Sequence, residues 1–386
     1  GLEREKLQSE YDQLMATIAD YKDILAHDER VWAIIEKDLR DVAKTYGDPR
    51  KTRIEADALD IDQDDLVPKD NIVISLTADG YIKRMSVSSY RTQGRGGRGI
   101  KGAKTRGEDV VTQVLSTTTH HNLLFFTNRG RVYGLRAYQL PTFDRTAKGM
   151  PIINFISLDP GEKVLTILAR ETDASSEDAL FFATAQGMVK KTVLTEYDYM
   201  PSSGKIAIDL QPGDTLAGVH CLGADSEVIL VTANGMSIRF STDDVRAMGR
   251  DTRGVRGITL AEGDHVVGLA VASETPALLL LTSGGYGKRT AVDSFRLQSR
   301  GGKGVRCYRV DSDTGHVVFA DSVVPEDELL LFTAKGIANR QRLKDIRQIG
   351  RATKGVKVIR LDQGDTLATA SLVVSEDFLA AAEAGL

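Results

Sequence analysis

At 386 residues, 41% hydrophobic and 27% charged, the chain has the composition of a soluble globular protein, with room for two or three ordinary domains or one large repeat domain plus an appendage. No apolar run approaches the roughly 20 residues of a membrane-spanning helix, and Gly1-Leu2-Glu3-Arg4 opens no basic and apolar leader, so no secretion signal is expected. The formal charge of −4 conceals a split: residues 1–70 hold 11 Lys+Arg against 19 Asp+Glu and residues 375–386 hold none against 3, which leaves 39 against 32, a net of +7, between them.

The missing initiator Met is expected of a fragment or a processed chain. In residues 1–48, Leu2, Leu7, Tyr11, Leu14, Ile18, Tyr21 and Leu25 recur at helical spacing, as do Val31, Ile34, Ile35, Leu39 and Val42, up to the stop at Gly47-Asp48-Pro49. An antiparallel helical pair or the stub of a longer coiled coil is predicted, with the single Trp32 in its core. Residues 49–70, rich in Asp and closed by Pro68, read as an acidic linker. The two cysteines, Cys221 and Cys307, show no metal or redox spacing and fit a reducing cytoplasm.

From residue 71 the helical period gives way to an internal repeat. A β-rich run ending in Thr-x-x-Gly occurs six times, at Thr77, Thr127, Thr184, Thr232, Thr282 and Thr333, in steps of 50, 57, 48, 50 and 51 residues. Each turn glycine (Gly80, Gly130, Gly187, Gly235, Gly285, Gly336) suits the positive φ of a tight hairpin. Nineteen residues later stands a second glycine at Gly99, Gly149, Gly254, Gly304 and Gly355, with Gly204 departing at seventeen. The unit reads strand, hairpin, strand, long basic loop, strand, turn, strand. A four-stranded sheet of this size cannot cover its own faces, so six must stack. The predicted fold is mainly β, a six-bladed propeller-like pinwheel over 71–374, with blades at about 71–119, 120–173, 174–225, 226–273, 274–324 and 325–374, then a short acidic tail at 375–386.

Two stretches concentrate glycine with cations. Gln93-Gly94-Arg95-Gly96-Gly97-Arg98-Gly99, followed by Lys101, has a counterpart at 298–304 that contains Arg300 and Lys303. Glycines let the backbone approach a phosphate chain, and Arg and Lys neutralise it and release counterions. Further cations follow the hairpins: Lys83, Arg84, Arg131, Lys190, Lys191, Arg239, Lys288, Arg289 and Arg340, with Arg129 in the second turn. Others line the loops: Lys148, Arg253, Arg256, Arg306, Arg351, Lys354 and Lys357. Their shared register predicts a positive belt around a disc that binds duplex DNA through phosphates rather than base edges. Gly94 to Gly99 also matches G-x-G-x-x-G, but no helix start follows, and no Walker motif occurs. His120-His121 has no carboxylate at zinc spacing, and no catalytic constellation or metal site is predicted.

The heptapeptide at 93–99 resembles the gyrase-A box, Gln-Arg-Arg-Gly-Gly-Lys/Arg-Gly, with Gly94 in place of its first Arg. Arg129-Gly-Arg-Val-Tyr133, Tyr138-Gln-Leu-Pro141, Lys190-Lys-Thr-Val-Leu-Thr-Glu196, Val245-Arg-Ala-Met-Gly249 and Gly287-Lys-Arg-Thr-Ala-Val292 extend the likeness along the chain. The chain thus resembles the C-terminal, DNA-wrapping part of the A subunit of bacterial DNA gyrase. That resemblance implies a monomeric disc that wraps duplex DNA in a right-handed sense for negative supercoiling, with the box holding the last blade to the first. It implies a preceding breakage-reunion domain that carries the catalytic tyrosine, a B subunit that uses ATP and Mg2+ in an A2B2 assembly, and a cytoplasmic, nucleoid-associated location. This stretch alone would have no cofactor and cut no DNA. The alternatives are a topoisomerase IV-type domain that bends DNA without strong wrapping, and a propeller-like protein-docking module.

Overall fold

The computed structural model describes residues 2–48, 66–86, 100–101, 111–144, 147–170, 178–272 and 277–373. The chain divides into a helical unit, Gly1–Ile61, and a β unit, Asp62–Leu386. In the first, α1 (Leu2–Ala26) and α2 (Asp28–Tyr46) form a helical pair. No residue of α2 is buried, and Trp32 is 68% exposed, which corrects the expectation that it forms a core. Two helices make only one layer against another, too little to enclose a large indole.

In the β unit every Thr-x-x-Gly closes a hairpin in the same way. The glycine N–H donates to the threonine carbonyl at 2.9–3.0 Å. The glycine φ lies between +69° and +82°, where a Cβ would be strained. In five of the six turns the threonine hydroxyl also accepts the N–H four residues on, as from Tyr81 to Thr77 at 3.1 Å. The side chain thereby replaces a ladder bond that the turn would otherwise leave open.

The six hairpins and the long strand that follows each of them (Val111–Thr118, Val164–Arg170, Leu216–Leu222, Val266–Val271, Val317–Val323, Leu367–Val373) form six antiparallel sheets. The fourth strand of each sheet, only two residues long, comes from the next repeat. Sheet 1 takes Met150–Pro151, sheet 2 Lys205–Ile206, sheet 3 Val255–Arg256, sheet 4 Val305–Arg306 and sheet 5 Val356–Lys357. Sheet 6 takes Ile100–Lys101 from the first repeat, so the first and last repeats are joined by β-pairing of Ile337 with Lys101 and Ala338 with Ile100. Repeats and sheets are therefore out of phase by one strand. The long loop must cross to its neighbour, and after crossing its backbone N–H groups dock on the neighbour's turn glycine, as from Gly257 to Gly187 O and Cys307 to Gly235 O, both at 2.8 Å.

The core lies between sheets rather than within them. Each apolar cluster draws on two adjacent blades, for example Phe181, Val189 and Leu222 with Val228, Leu230 and Phe240. Phe126 and Phe182 meet edge to face across sheets 2 and 3 with centroids 5.5 Å apart. The six long third strands surround a central channel of about 430 Å³. Neighbouring blades are tied along it: the Gln113 amide donates to Ile167 O and accepts from Ile167 N, and the Ser371 hydroxyl donates to Val114 O across the junction of sheets 6 and 1. Before the first blade, residues 67–70 are held by its turn, with Thr119 Oγ1 donating to Pro68 O at 2.7 Å.

Candidate nucleic-acid interface

The cations fall into two groups, set by whether they stand on the hairpins or on the loops that cross between sheets. Three residues after the turn glycine, Lys83, Lys190 and Lys288 lie in alternate repeats and are 2%, 0% and 0% exposed. Their ammonium groups point into the following loop. Lys83 donates to Ala147 O, Lys190 to Ala207 O and Arg250 O, and Lys288 to the carbonyls of Gly350, Arg351 and Thr353. Burial pushes the Lys190 and Lys288 ammonium groups down to about 8. One residue on, Arg289 donates to Ile346 O, and Arg340 pairs with Glu328 with both side chains under 9% exposed. Half-buried Arg239 pairs with Glu227 at 2.6 Å and donates to Val292 O and Phe295 O. Arg84 donates to Thr142 Oγ1, and Lys191 lies 3.7 Å from Asp243.

This corrects the expectation that the hairpin cations form an exposed belt. At Lys83, Lys190 and Lys288 the sheet is covered on both faces by neighbouring blades, so these strand lysines have no solvent side. They survive there by binding carbonyls, which satisfies the ammonium and fixes the crossing loop.

The loop cations are different. Arg253, Arg256, Lys303, Arg306 and Lys357 are exposed, and Lys354 is half-buried. Arg253 pairs with Asp209 at 2.6 Å, Lys354 with Asp311 at 2.8 Å, and Lys357 stands over the Tyr286 ring. No ion pair with another described residue holds Arg256, Lys303 or Arg306. Arg300, within the second box-like motif, turns inward to donate to Asp244 O and Arg256 O, while Gly301 N donates to Gly257 O at 2.6 Å. That motif is thus a clip between crossing loops, with Lys303 its outward cation. Arg351 is half-buried. Lys148 lies 3.6 Å from the Tyr81 ring centroid, Arg129 donates to Pro160 O, and Arg131 donates to Tyr133 Oη and Ser203 O.

The first motif, Gln93 to Gly99, lies outside the described residues. Lys101 is described only as part of the short strand that completes sheet 6. Five exposed arginines escaped the sequence reading: Arg246, Arg296 and Arg347 eleven residues after their turn glycines, and Arg309 and Arg360 three residues beyond Arg306 and Lys357. Their constant offsets were the available signal. Among the described residues no group of three or more His, Cys, Asp or Glu could hold a metal ion. No described helix is long and apolar enough to cross a membrane.

Six four-stranded sheets in a closed ring, each completed by a two-residue strand from the next repeat, define a protein of the β-propeller class. The family model for the DNA gyrase C-terminal domain, beta-propeller, matches residues 71–118, 121–169, 178–222, 226–273, 277–323 and 327–373. The chain belongs to that family. It is 50% identical over 377 residues to the A subunit of DNA gyrase from Halalkalibacterium halodurans and 44% identical over 378 residues to that from Clostridium acetobutylicum. In each case 98% of this chain and 45% of the relative is covered, so the chain spans about half the length of the curated relatives it matches. Among solved structures, a DNA gyrase A C-terminal domain superposes with TM-score 0.72 at 31% identity, over 79% of this chain and all of that one. The C-terminal domain of DNA topoisomerase IV gives 0.62 at 26%, over 83% and 99%.

Proposed function

We propose that the β unit binds duplex DNA through its phosphates and wraps it in a right-handed sense around the ring. In this reading it acts within a gyrase-type enzyme that introduces negative supercoils. The observation that carries this is the row of exposed loop cations, Arg256, Arg306 and Lys357, at the same register of three successive sheets. A repeated cation at one radius meets a repeated phosphate and calls for no base contact. Bending a duplex around the ring costs on the order of several kcal/mol of elastic energy. That cost is met by counterion release at many weak contacts rather than by a single strong one.

Catalysis belongs to the rest of the assembly. Cleavage would come from a breakage-reunion domain preceding this stretch, and ATP hydrolysis with Mg2+ from a B subunit in an A2B2 complex in the bacterial cytoplasm. The chain's own part is to present a transfer segment. A topoisomerase IV-type role, in which DNA is bent without strong wrapping, is favoured by one observation: Gly94 stands where the gyrase-A box has its first Arg. The linking-number change left when nicked circular DNA is sealed in the presence of the chain separates the two readings.

A further inference from the structure

The crossing loops are not equally charged, and the inequality is ordered in space. Four positions repeat in each loop, at eleven, eighteen, twenty-one and twenty-four residues after the turn glycine. Repeat 4 places Arg246, Arg253 and Arg256 there, with Thr259 last. Repeat 5 places Arg296, Lys303, Arg306 and Arg309, and repeat 6 places Arg347, Lys354, Lys357 and Arg360. Eleven of twelve are cations, and ten of those eleven are exposed. Repeat 2 has Pro141, Lys148, Pro151 and Asn154 at these positions. Repeat 3, its second glycine two residues early, has Asp198, Ser203, Ile206 and Asp209. One of eight is a cation, and that one, Lys148, is half-buried over Tyr81.

Because each loop strand completes the preceding sheet, the charged loops lie on sheets 3, 4 and 5, which are contiguous in the ring. The loops poor in cations at these positions lie on sheets 1 and 2. There the rim presents Ile153, 62% exposed, Ile206, 47% exposed, and Tyr199, 76% exposed. Asp209 is spent on Arg253, the nearby Arg131 is tied down by Tyr133 and Ser203, and Lys205 donates to Glu196 O. On sheet 6 the same register is held by Lys101 of repeat 1, through its backbone pairing with Ile337.

We propose that the duplex follows an arc of the ring, over sheets 3, 4 and 5 and on toward sheet 6, and leaves the rim of sheets 1 and 2 bare. This rests on the duplex-binding reading and narrows it. A duplex carries a charge about every 1.7 Å along its axis, both strands counted, so a path over sheets 1 and 2 would leave many phosphates facing isoleucine, tyrosine and aspartate. Desolvating charge against such a surface costs free energy and releases few counterions. The arc therefore stops short of sheets 1 and 2, and bound DNA does not complete a turn of the ring.

Proximity labelling tests it. Single cysteines are placed at exposed positions, Ser299→Cys and Ala352→Cys on the charged loops and Asn154→Cys and Ile206→Cys on the cation-poor ones, each carrying a short photoactivatable crosslinker. The unsubstituted chain, with Cys307 buried and Cys221 half-buried, sets the background. Crosslinks to a long duplex at low salt are expected roughly tenfold or more above background from Ser299→Cys and Ala352→Cys, and at background from the other two. Comparable labelling from all four positions, or labelling confined to Asn154→Cys and Ile206→Cys, overturns the arc. Loss of all labelling together with loss of duplex binding in a gel shift would instead remove the duplex-binding reading.

Discussion

Lys288 offers the sharpest account of what the buried cations do. No part of it is exposed, its ammonium donates to Gly350 O at 3.0 Å and to Thr353 O at 3.2 Å, and it sits 5.0 Å from the Tyr308 ring centroid. Burial lowers its pKa from 10.5 to about 8. The unfolded chain keeps that proton up to its ordinary pKa, whereas the folded chain releases it from about pH 8. Between the two values the unfolded state binds more protons, so stability rises with pH in that window. Over about two pH units inside it, with allowance for solvent screening, the increment is about 1–2 kcal/mol. Lys288→Met removes the titrating group. The gain in urea-unfolding free energy between about pH 8 and 10 is therefore expected to be smaller in the variant by about 1–2 kcal/mol. At the lower pH, duplex affinity is expected to fall as well, because the loop that carries Arg351 and Lys354 loses its anchor. Equal pH increments in the two proteins would show that Lys288 does not titrate in this window, whatever happened to affinity.

Two further substitutions probe the frame. Arg340 and Glu328 form a pair that is 6% and 8% exposed, so Arg340→Ala takes away the cation that compensates a buried carboxylate and is expected to cost about 3–5 kcal/mol in chemical denaturation. The double change Glu328→Leu with Arg340→Met should recover most of that loss; no recovery would mean that the pair is not the source of the cost. Gly304 has φ +71°, and a Cβ there would stand 2.1 Å from Ser237 O, whereas one at Gly263, with φ +74°, would meet nothing within 4 Å. Gly304→Ala is expected to lower thermal stability by about 2 kcal/mol or more and Gly263→Ala by about 1 kcal/mol. Equal effects would deny that the loop strand packs tightly on sheet 4.

Much of the architecture was legible because one turn chemistry is repeated. Thr77 and its five counterparts each need a glycine three residues on, and the requirement recurs in the chain as plain text. The crossing of the loop strand to the preceding sheet was not legible. A two-residue segment such as Val255–Arg256 has no periodicity to read, and its partner is set by where the loop lands. The fate of the cations was half legible. Register placed Arg256, Arg306 and Lys357 on one track, and they are exposed there. The same register put Lys83, Lys190 and Lys288 on a belt, and they are buried because a repeated strand position reaches solvent only where the sheet has a solvent face. Between blades it has none. Trp32 misled for the converse reason, since helical spacing of apolar residues says nothing about what covers them.

Wrapping, unlike binding alone, changes the linking number that a closed circle keeps. Nicked circular DNA sealed by ligase with increasing amounts of the chain, then freed of protein, reports it directly. Right-handed wrapping shifts the topoisomers to positive linking difference in proportion to bound protein, fading as salt strips the phosphate contacts. Binding that leaves the topoisomer distribution unshifted, or shifts it negative, would contradict right-handed wrapping.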